Sequence, residues 1–286
     1  MLFLNRKHDH HDDDNHDDHG GLHRDLLETN AAMDRRGMLR MAARFGAALG
    51  AVQLIGCGAD AGALVGTDTS GTNGSTSGNC PTRVPQETEG PFPADSSNGP
   101  NVLNQTGVVR QDIRSSFAGL TGTAAGVLLN LELTIVSASS CTPLADYAVY
   151  LWHCDRAGLY SLYSAGATNQ NYLRGVQAAN ASGVVKFTTI FPGCYTGRWP
   201  HMHFEVYRSL AAATSVSNKI ATSQIALPKA ACDLVYATSG YSASVTNLSR
   251  ISLATDGIFS DGASLELATV TGDVTNGMTA ALTVAV

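Results

Sequence analysis

The sequence has few charged residues, no long hydrophobic run and no excess of positive charge. Charged residues make up 15% of the 286 residues, apolar residues 44%, and the formal net charge is -6. This composition is too apolar for a disordered chain. No apolar run reaches the roughly 18 residues of a membrane-spanning helix, which excludes a polytopic membrane protein. Residues 57–286 carry 11 Lys and Arg against 15 Asp and Glu, so this region offers no basic surface to nucleic acid.

Several common catalytic signatures are also missing. The sequence contains no CxxC pair, no Gly-rich phosphate loop, no nucleophile elbow and no internal repeat. Six of the nine histidines lie in the first 34 residues, within a His/Asp-rich leader. We interpret this leader as a solvated extension, or as sequence upstream of a true start at Met33 or Met38, and not as a site. Three histidines remain for chemistry: His153, His201 and His203.

Residues 1–56 are predicted to be a twin-arginine-type signal peptide together with its His/Asp-rich leader. A pair of arginines, Arg35 and Arg36, precedes a modest apolar stretch with a small-residue end, which is the pattern of a signal peptide. The arginine pair resembles a twin-arginine signal, and Leu54-Ile55-Gly56-Cys57 resembles a bacterial lipobox. We therefore expect an exported protein of the cell envelope, lipid-anchored at Cys57. The alternative is a short amphipathic helix that stays attached.

Residues 57–79 are predicted to be a flexible tether, and residues 80–286 a single folded domain. The tether is almost wholly Gly, Ala, Ser, Thr, Asn and Asp, and only Leu64 and Val65 are suited to burial. Such a segment spans roughly 25 Å root-mean-square and would hold the domain off a membrane. The remaining length, about 200 residues, is within reach of one β-domain.

The domain is predicted to be an all-β sandwich of short mixed or antiparallel strands with few helical turns. Apolar and polar residues alternate at the centre of residues 127–136, as in a half-buried strand. Gly-containing turns separate this run from similar ones, and residues 228–236 suit a turn or two of helix. The other predicted strands are residues 147–152, 184–191, 201–207, 222–227, 250–254, 265–270 and 279–286.

The strand at residues 201–207 carries a His-x-His pair. Alternation places His201 and His203 on one face, together with Glu205 and Tyr207, and leaves Met202, Phe204 and Val206 for a core. Two imidazoles on one strand face are able to converge on a single metal ion. The alternative from the residues alone is a solvated or packed pair.

The surrounding residues resemble the intradiol ring-cleavage dioxygenases, a family that includes catechol and protocatechuate 3,4-dioxygenases. Residues 189–203 are similar to the family's iron-binding segment, with a tyrosine, an arginine and His-x-His in the same order. Residues 149–155 followed by Gly158-Leu159-Tyr160-Ser161 resemble its strand and Gly-x-Tyr-Ser turn. Further similar segments are residues 86–92, 110–114 and 171–177, so the resemblance spans about residues 84–270.

The resemblance implies a non-haem Fe(III) ion held by Tyr160, Tyr195, His201 and His203, with Arg198 as a cation beside the substrate. Two phenolates and a hydroxide are hard, anionic donors that suit Fe(III) better than Fe(II). The implied reaction cleaves a catechol-type ring with O2 between its two hydroxylated carbons and yields a muconate-type diacid. Tyr195 is the tyrosine implied to leave the metal and help take up a proton.

Other residues and other functions remain open at this stage. Tyr172 is an alternative for the first tyrosine ligand, although we interpret it as pocket lining. His153 is predicted to be a hydrogen-bonded strand histidine, and Glu205 could orient an imidazole. A non-catalytic extracellular binding lipoprotein predicts that the four ligands do not converge. A copper- or zinc-handling protein predicts no role for the tyrosines.

The number of cysteines limits the possible disulfides but does not identify which cysteines pair. With Cys57 lipidated, an odd number remains: Cys80, Cys141, Cys154, Cys194 and Cys232. Cys141 and Cys154 flank one predicted strand and are each expected to pair, if at all, with a more distant partner. The sequence leaves open which catechol is the substrate, as well as the oligomeric state.

Overall fold

The computed structural model describes residues 80–286, which form eight strands in two four-stranded sheets. The first sheet has the strand order β4-β1-β8-β7 and the second β3-β2-β5-β6. The predicted all-β sandwich is confirmed. The strands are β1 Leu128–Val136, β2 Ala148–Trp152, β3 Arg174–Ala178, β4 Val184–Ile190, β5 His201–Tyr207, β6 Lys219–Ala226, β7 Thr269–Asp273 and β8 Gly277–Ala285; the helices are α1 Lys229–Tyr236 and α2 Ser242–Leu248.

Strand pairing is antiparallel except between β1 and β8, which run parallel. The first sheet is therefore mixed and the second wholly antiparallel. The second sheet matters most for the site, because β5 lies between β2 and β6 and has a paired neighbour along both of its edges. A central strand of this kind fixes the register of each of its side chains.

The main core lies between the two sheets. Strand β1 points Leu129, Leu131 and Leu133 inward, and all three are fully buried, while its alternate residues are half-exposed. From the opposite sheet, β5 contributes Met202, Phe204 and Val206 to the same core cluster. This placement confirms the core face predicted for β5. Burial of such aliphatic and aromatic side chains contributes about 1.5–3 kcal/mol each.

The other face of the second sheet is covered as well. Every residue of β5 is buried, so its second face, with His201 and His203, does not look out onto solvent. A second apolar cluster packs there: it joins Tyr150 and Trp152 of β2 to side chains from residues 92–117. The histidine face of β5 thus lies beneath a covering layer of loops, a setting suited to a site that excludes water.

Two predicted strands differ from the observed ones. Residues 250–254 form turns, because Ile251 and Leu253 pack on the core as isolated, partly buried side chains, and Ser252 closes a hydrogen-bonded turn with Thr255. The strand predicted at residues 265–270 begins later, at β7. Its apolar Leu267 makes only a single bridge, to Ala226.

One helix was predicted correctly, whereas a second helix and one strand were missed. The helix expected at residues 228–236 is present as α1, whereas α2 carries the polar sequence SASVTNL and was missed. Strand β3 was missed because it begins with Arg174 and Gly175, which weaken the strand pattern. The remaining predicted strands agree with the structure to within a few residues.

One disulfide joins Cys80 to Cys141, and Cys154, Cys194 and Cys232 are free and buried. Cys141 has the distant partner that was considered for it, whereas Cys154 forms no disulfide and its thiol donates to the carbonyl of Gly193. The predicted leader, export signal, Cys57 anchor and tether lie outside the described residues. Among residues 80–286, no helix combines the length and apolar character needed to cross a membrane.

Candidate functional site

The two histidines of β5 face each other across the site. His201 and His203 are each 2% exposed, and their Nε2 atoms lie 3.1 Å apart. The Nδ1 of His201 is 2.5 Å from the carbonyl oxygen of Trp199. A carbonyl only accepts, so Nδ1 carries the proton and Nε2 of a neutral ring presents its lone pair to the site.

Two tyrosine hydroxyls complete a cluster with these nitrogens. The hydroxyl of Tyr160 lies 3.2 Å from Nε2 of His203, and the hydroxyl of Tyr195 lies 3.2 Å from Nε2 of His201. We call these four side chains the Tyr–His cluster. The structure therefore brings together all four residues predicted to be metal ligands.

The spacing of the Tyr–His cluster is compatible with a shared metal ion. Ligands bound at about 2.0–2.1 Å and near right angles lie about 3 Å from one another, and three neighbouring pairs of donor atoms in the cluster are 3.1–3.2 Å apart. Within residues 80–286, no group of three or more His, Cys, Asp or Glu side chains is placed to hold a metal ion. A metal at this site therefore needs the tyrosines as well as the histidines.

Two glycines let the tyrosine loops approach each other. Gly158 has a φ of +87°, and a Cβ there would lie 3.0 Å from the Cβ of Tyr195. A Cβ on Gly193 would lie 2.7 Å from the carbonyl oxygen of Arg156. Side chains at either position would force the loops apart, so these glycines set the distance between Tyr160 and Tyr195.

The environment keeps both cluster histidines neutral. Burial is the largest cause that holds the pKa of His201 and of His203 well below its usual value, and the positive charge of Arg198 acts in the same direction. A neutral imidazole is the form that binds a metal ion. The cluster is thus a set of uncharged nitrogen donors beside two phenols.

A row of four side chains crosses the second sheet at the level of His203. Strand register places Arg174 opposite Trp152, Trp152 opposite His203, and His203 opposite Gln224. The ring of His203 stacks on the indole of Trp152 at 5.0 Å with an interplanar angle of 8°. This stack holds the imidazole plane, since aromatic pairs of this kind favour offset parallel packing.

Arg198, predicted to be a cation beside the substrate, is buried and tied to two partners. Its Nε donates to Asp256 Oδ2 at 3.0 Å, and its Nη2 donates to Gln224 Oε1 at 2.7 Å. Asp256 is fully buried and also accepts from the backbone N–H groups of Trp199, Ile258 and Phe259. The guanidinium is therefore fixed in direction and is not a surface salt-bridge partner.

Three residues weighed as alternatives lie outside the cluster. The hydroxyl of Tyr172 donates to Asp155 at 3.4 Å, and both ring nitrogens of His153 are hydrogen-bonded, to the carbonyl of Cys154 and to Thr189. Glu205 accepts from Tyr207 and Lys219, so the suggestion that it orients an imidazole is wrong. His153 is a hydrogen-bonded histidine, as predicted.

The roles of Trp152, Gln224 and Asp256 were not predicted from the sequence. Gln224 and Asp256 fix Arg198, and the Nε2 of Gln224 also donates to the carbonyl of Thr88, which ties the loop before the site to the sheet. Gln224 lies opposite His203 only once the register of β5 and β6 is known. Asp256 precedes Gly257, a pair typical of turns, so no local pattern distinguishes it.

Comparison with known proteins gives a family match and a fold match. Residues 98–221 match the sequence model of a family described as Dioxygenase, a stretch that contains the Tyr–His cluster and Arg198. An intradiol ring-cleavage dioxygenase from Tetranychus urticae superposes with a TM-score of 0.58 at 23% identity, over 72% of this chain and 94% of that one. A second dioxygenase structure gives 0.57 at 23% identity over the same shares.

A more distant match is the dioxygenase domain of a dioxygenase carbohydrate-binding fusion from Streptomyces sp. SirexAA-E, with a TM-score of 0.43, 20% identity, and coverage of 71% and 97%. No curated protein matched the sequence. At identities this low, the first two structures show that residues 80–286 share the intradiol dioxygenase fold.

Proposed function

We propose that this protein is an intradiol ring-cleavage dioxygenase that uses a non-haem Fe(III) ion and O2 to cleave catechol-type rings between the two hydroxylated carbons. The product is a muconate-type diacid that contains both atoms of O2. The observation that carries the proposal is the grouping of two phenol oxygens and two imidazole nitrogens, in which each atom lies 3.1–3.2 Å from the next. The match of residues 98–221 to the Dioxygenase family supports it.

The donor set suits ferric iron. Phenolate oxygens are hard, anionic ligands that favour a trivalent ion, whereas zinc and copper sites are built mainly from thiolates and imidazoles. Tyr160, Tyr195, His201 and His203 are the residues that would hold the ion. When bound, the ion supplies the positive charge that keeps both phenols, and the two oxygens of the catechol, in their deprotonated forms.

The two tyrosines have different surroundings and therefore different roles. Tyr160 is 2% exposed and packs against Phe92 at a ring separation of 4.8 Å, so it would be the ligand that stays in place. Tyr195 is partly exposed, on the loop that precedes Arg198. Tyr195 would therefore be the ligand that the substrate displaces, and its hydroxyl oxygen would take up a catechol proton.

Arg198 provides fixed positive charge beside the ring being cleaved. Because Asp256 and Gln224 already set its orientation, no reorganisation is needed when negative charge develops on the substrate. The covering layer over β5 keeps the surroundings dry, which strengthens the electrostatic interactions of this guanidinium.

The test is the visible spectrum of the purified protein, before and after anaerobic addition of catechol. We expect a tyrosinate-to-iron charge-transfer band that shifts on catechol addition, followed by O2 uptake when air is admitted. Tyr147→Phe is the matched control, because the Tyr147 hydroxyl accepts from Arg208 outside the cluster. A protein that stays colourless after iron reconstitution would favour a non-catalytic binding protein.

The proposed location is the cell envelope, with a lipid anchor at Cys57. The arginine pair and the Leu54-Ile55-Gly56-Cys57 motif support this. The Cys80–Cys141 disulfide also fits an oxidising compartment. Labelling of growing cells with a radioactive fatty acid tests the anchor: wild-type protein is expected to incorporate label and Cys57→Ala is not, whereas equal labelling would rule out this site.

The rival functions make expectations that the geometry does not meet. A binding lipoprotein without catalysis predicts four scattered side chains, yet they converge. A copper- or zinc-handling protein predicts idle tyrosines, yet both hydroxyls lie 3.2 Å from the imidazole nitrogens. The iron-dependent reaction uses every member of the cluster.

A further inference from the structure

Arg174 is a buried arginine that the proposed reaction does not use directly. It is 1% exposed and begins β3, in the same cross-strand row as His203. Its guanidinium makes four hydrogen bonds, all to neutral oxygens. The acceptors are the hydroxyl and carbonyl of Ser161, the carbonyl of Pro93 and the hydroxyl of Tyr150, at 2.9–3.3 Å.

The bonds to Ser161 form a clamp on the residue next to Tyr160. Nε of Arg174 reaches the Ser161 hydroxyl at 3.0 Å and Nη2 reaches its carbonyl at 2.9 Å, so one guanidinium holds this residue at two points. The Ser161 hydroxyl in turn donates to the carbonyl of Tyr172 at 2.7 Å. The planar fork of arginine makes such a two-point grip rigid, whereas lysine offers only a point charge.

The same guanidinium joins the turn of Tyr160 to two other parts of the domain. Its bond to Pro93 fixes the segment that contains Phe92, whose ring packs on Tyr160. Its bond to Tyr150 fixes the turn to β2, where Tyr150 stacks on Trp152 and Trp152 stacks on His203. Arg174 is therefore linked to the surroundings of both Tyr160 and His203, whose donor atoms lie 3.2 Å apart.

We infer that Arg174 is a positioning residue that holds Tyr160 in place to bind the metal. This inference rests on the proposed iron site and adds to it a residue that contacts neither metal nor substrate. Outer partners of metal ligands change metal affinity by about 10- to 100-fold when they are removed. We expect an effect of that size from the loss of the Arg174 clamp.

The test measures binding of Ga³⁺, a redox-inert stand-in for Fe³⁺, by chelator competition on the purified full chain, together with the charge-transfer band of the iron form. Arg174→Met is expected to bind Ga³⁺ about 10- to 100-fold more weakly than wild type and to shift the band. Arg174→Lys keeps the charge without the fork, and is expected to fall between the two. If Arg174→Met does not fold, the Ga³⁺ affinity of Arg174→Lys relative to wild type is the deciding measurement.

The control is Arg208→Met. Arg208 donates to the hydroxyl of Tyr147 at 3.2 Å, and neither residue bonds the Arg174 clamp. Its loss is expected to leave Ga³⁺ affinity within about twofold of wild type. Equal Ga³⁺ affinity in the Arg174→Met and Arg208→Met variants would overturn the inference.

A double-mutant cycle with Tyr160→Phe separates positioning from general loosening of the fold. Without the Tyr160 hydroxyl, removal of Arg174 is expected to weaken Ga³⁺ binding by no more than about twofold, because the ligand that it positions is gone. An undiminished effect in the Tyr160→Phe background would contradict the inference. Wild-type protein that binds neither Ga³⁺ nor Fe³⁺ would instead refute the proposed function itself.

Discussion

His203 and Trp152 form an offset parallel stack, with ring centroids 5.0 Å apart and planes 8° from parallel. This contact fixes His203 in a different way from its neighbour. His201 is oriented by a hydrogen bond from its Nδ1 to Trp199, whereas Nδ1 of His203 has no hydrogen-bond partner among the described residues. One cluster histidine is therefore held by a hydrogen bond and the other by ring packing.

Intrinsic fluorescence is expected to report metal binding. The chain has two tryptophans: the indole of Trp152 stacks on His203, and the backbone carbonyl of Trp199 accepts from His201. Ferric iron that absorbs near the emission of both indoles should quench most of the signal, and a chelator should restore it. Ga³⁺, which gives no visible band, is the control and should quench far less. Fluorescence that is unchanged by iron under saturating conditions would contradict the location of the metal.

Tyr195→Phe is expected to lower kcat for catechol cleavage by about 10²- to 10⁴-fold, the range for loss of a general acid–base group. It should also change the charge-transfer band, because one phenolate ligand is lost. The measurement is O2 uptake alongside the visible spectrum, with Tyr147→Phe as the control that retains both. An active Tyr195→Phe enzyme with an unaltered spectrum would remove Tyr195 from the ligand set.

Asp256→Asn is expected to lower the free energy of unfolding by about 3–5 kcal/mol, since it leaves the Arg198 charge buried without its counter-ion. The side chains of Arg198 and Asp256 are 1% and 0% exposed. The exposed pair of Lys229 and Asp233 gives the comparison, because Asp233→Asn should change stability by no more than about 0.5 kcal/mol. Urea unfolding of the metal-free protein measures both, and similar losses in the two variants would contradict the buried pair's role.

Stability is expected to fall as the pH drops from 7 to 4, in part through His153. Burial lowers the pKa of His153 from 6.5 to about 4. Between pH 6.5 and about pH 4, His153 is therefore protonated in the unfolded chain and neutral in the folded protein. Proton binding to the unfolded chain favours unfolding. The contribution is about 3 kcal/mol over that interval. His153→Asn should show a shallower dependence in urea unfolding at several pH values; parallel curves for the two proteins would disprove the assignment.

Three thiols in residues 80–286 are expected to be protected in the folded protein. Burial raises the pKa of Cys194 to about 12, and it also raises the pKa of Cys154 and of Cys232. Iodoacetamide should modify none of them in native protein and all three in urea without reductant, as measured by mass spectrometry. Cys80 and Cys141 should react only after reduction. Rapid native labelling of Cys194 would show that the loop before Tyr195 opens.

The strands that the sequence predicted well are those with an alternating or uniformly apolar pattern. Residues 201–207 were placed to the residue, because Met202, Phe204 and Val206 alternate with the site face. Strand β3 was not predicted because it begins with the charged residue Arg174. This residue is stable when buried because oxygens from three other segments surround its guanidinium. That arrangement depends on tertiary contacts, which local pattern does not encode.

In the site, residues within recognisable motifs were predicted from the sequence, whereas residues placed by strand register or tertiary contact were not. Tyr160, Tyr195, His201 and His203 were identified through the family resemblance of their segments, and the structure brings them together. Gln224 was not identifiable, because its role arises from its position opposite His203 and from its contact with Arg198. Asp256 lies 58 residues from Arg198, and only the folded chain brings them into contact.

The Cys80–Cys141 bond also determines how the domain bears mechanical load. A force applied to the chain ahead of Cys80 passes through the disulfide into the loop after β1. It therefore bypasses the residues between Cys80 and Thr88, whose backbone pairs with Ala285 and Thr222 and whose Thr88 carbonyl accepts from Gln224. The disulfide therefore carries the applied force, and the hydrogen bonds that orient Arg198 do not.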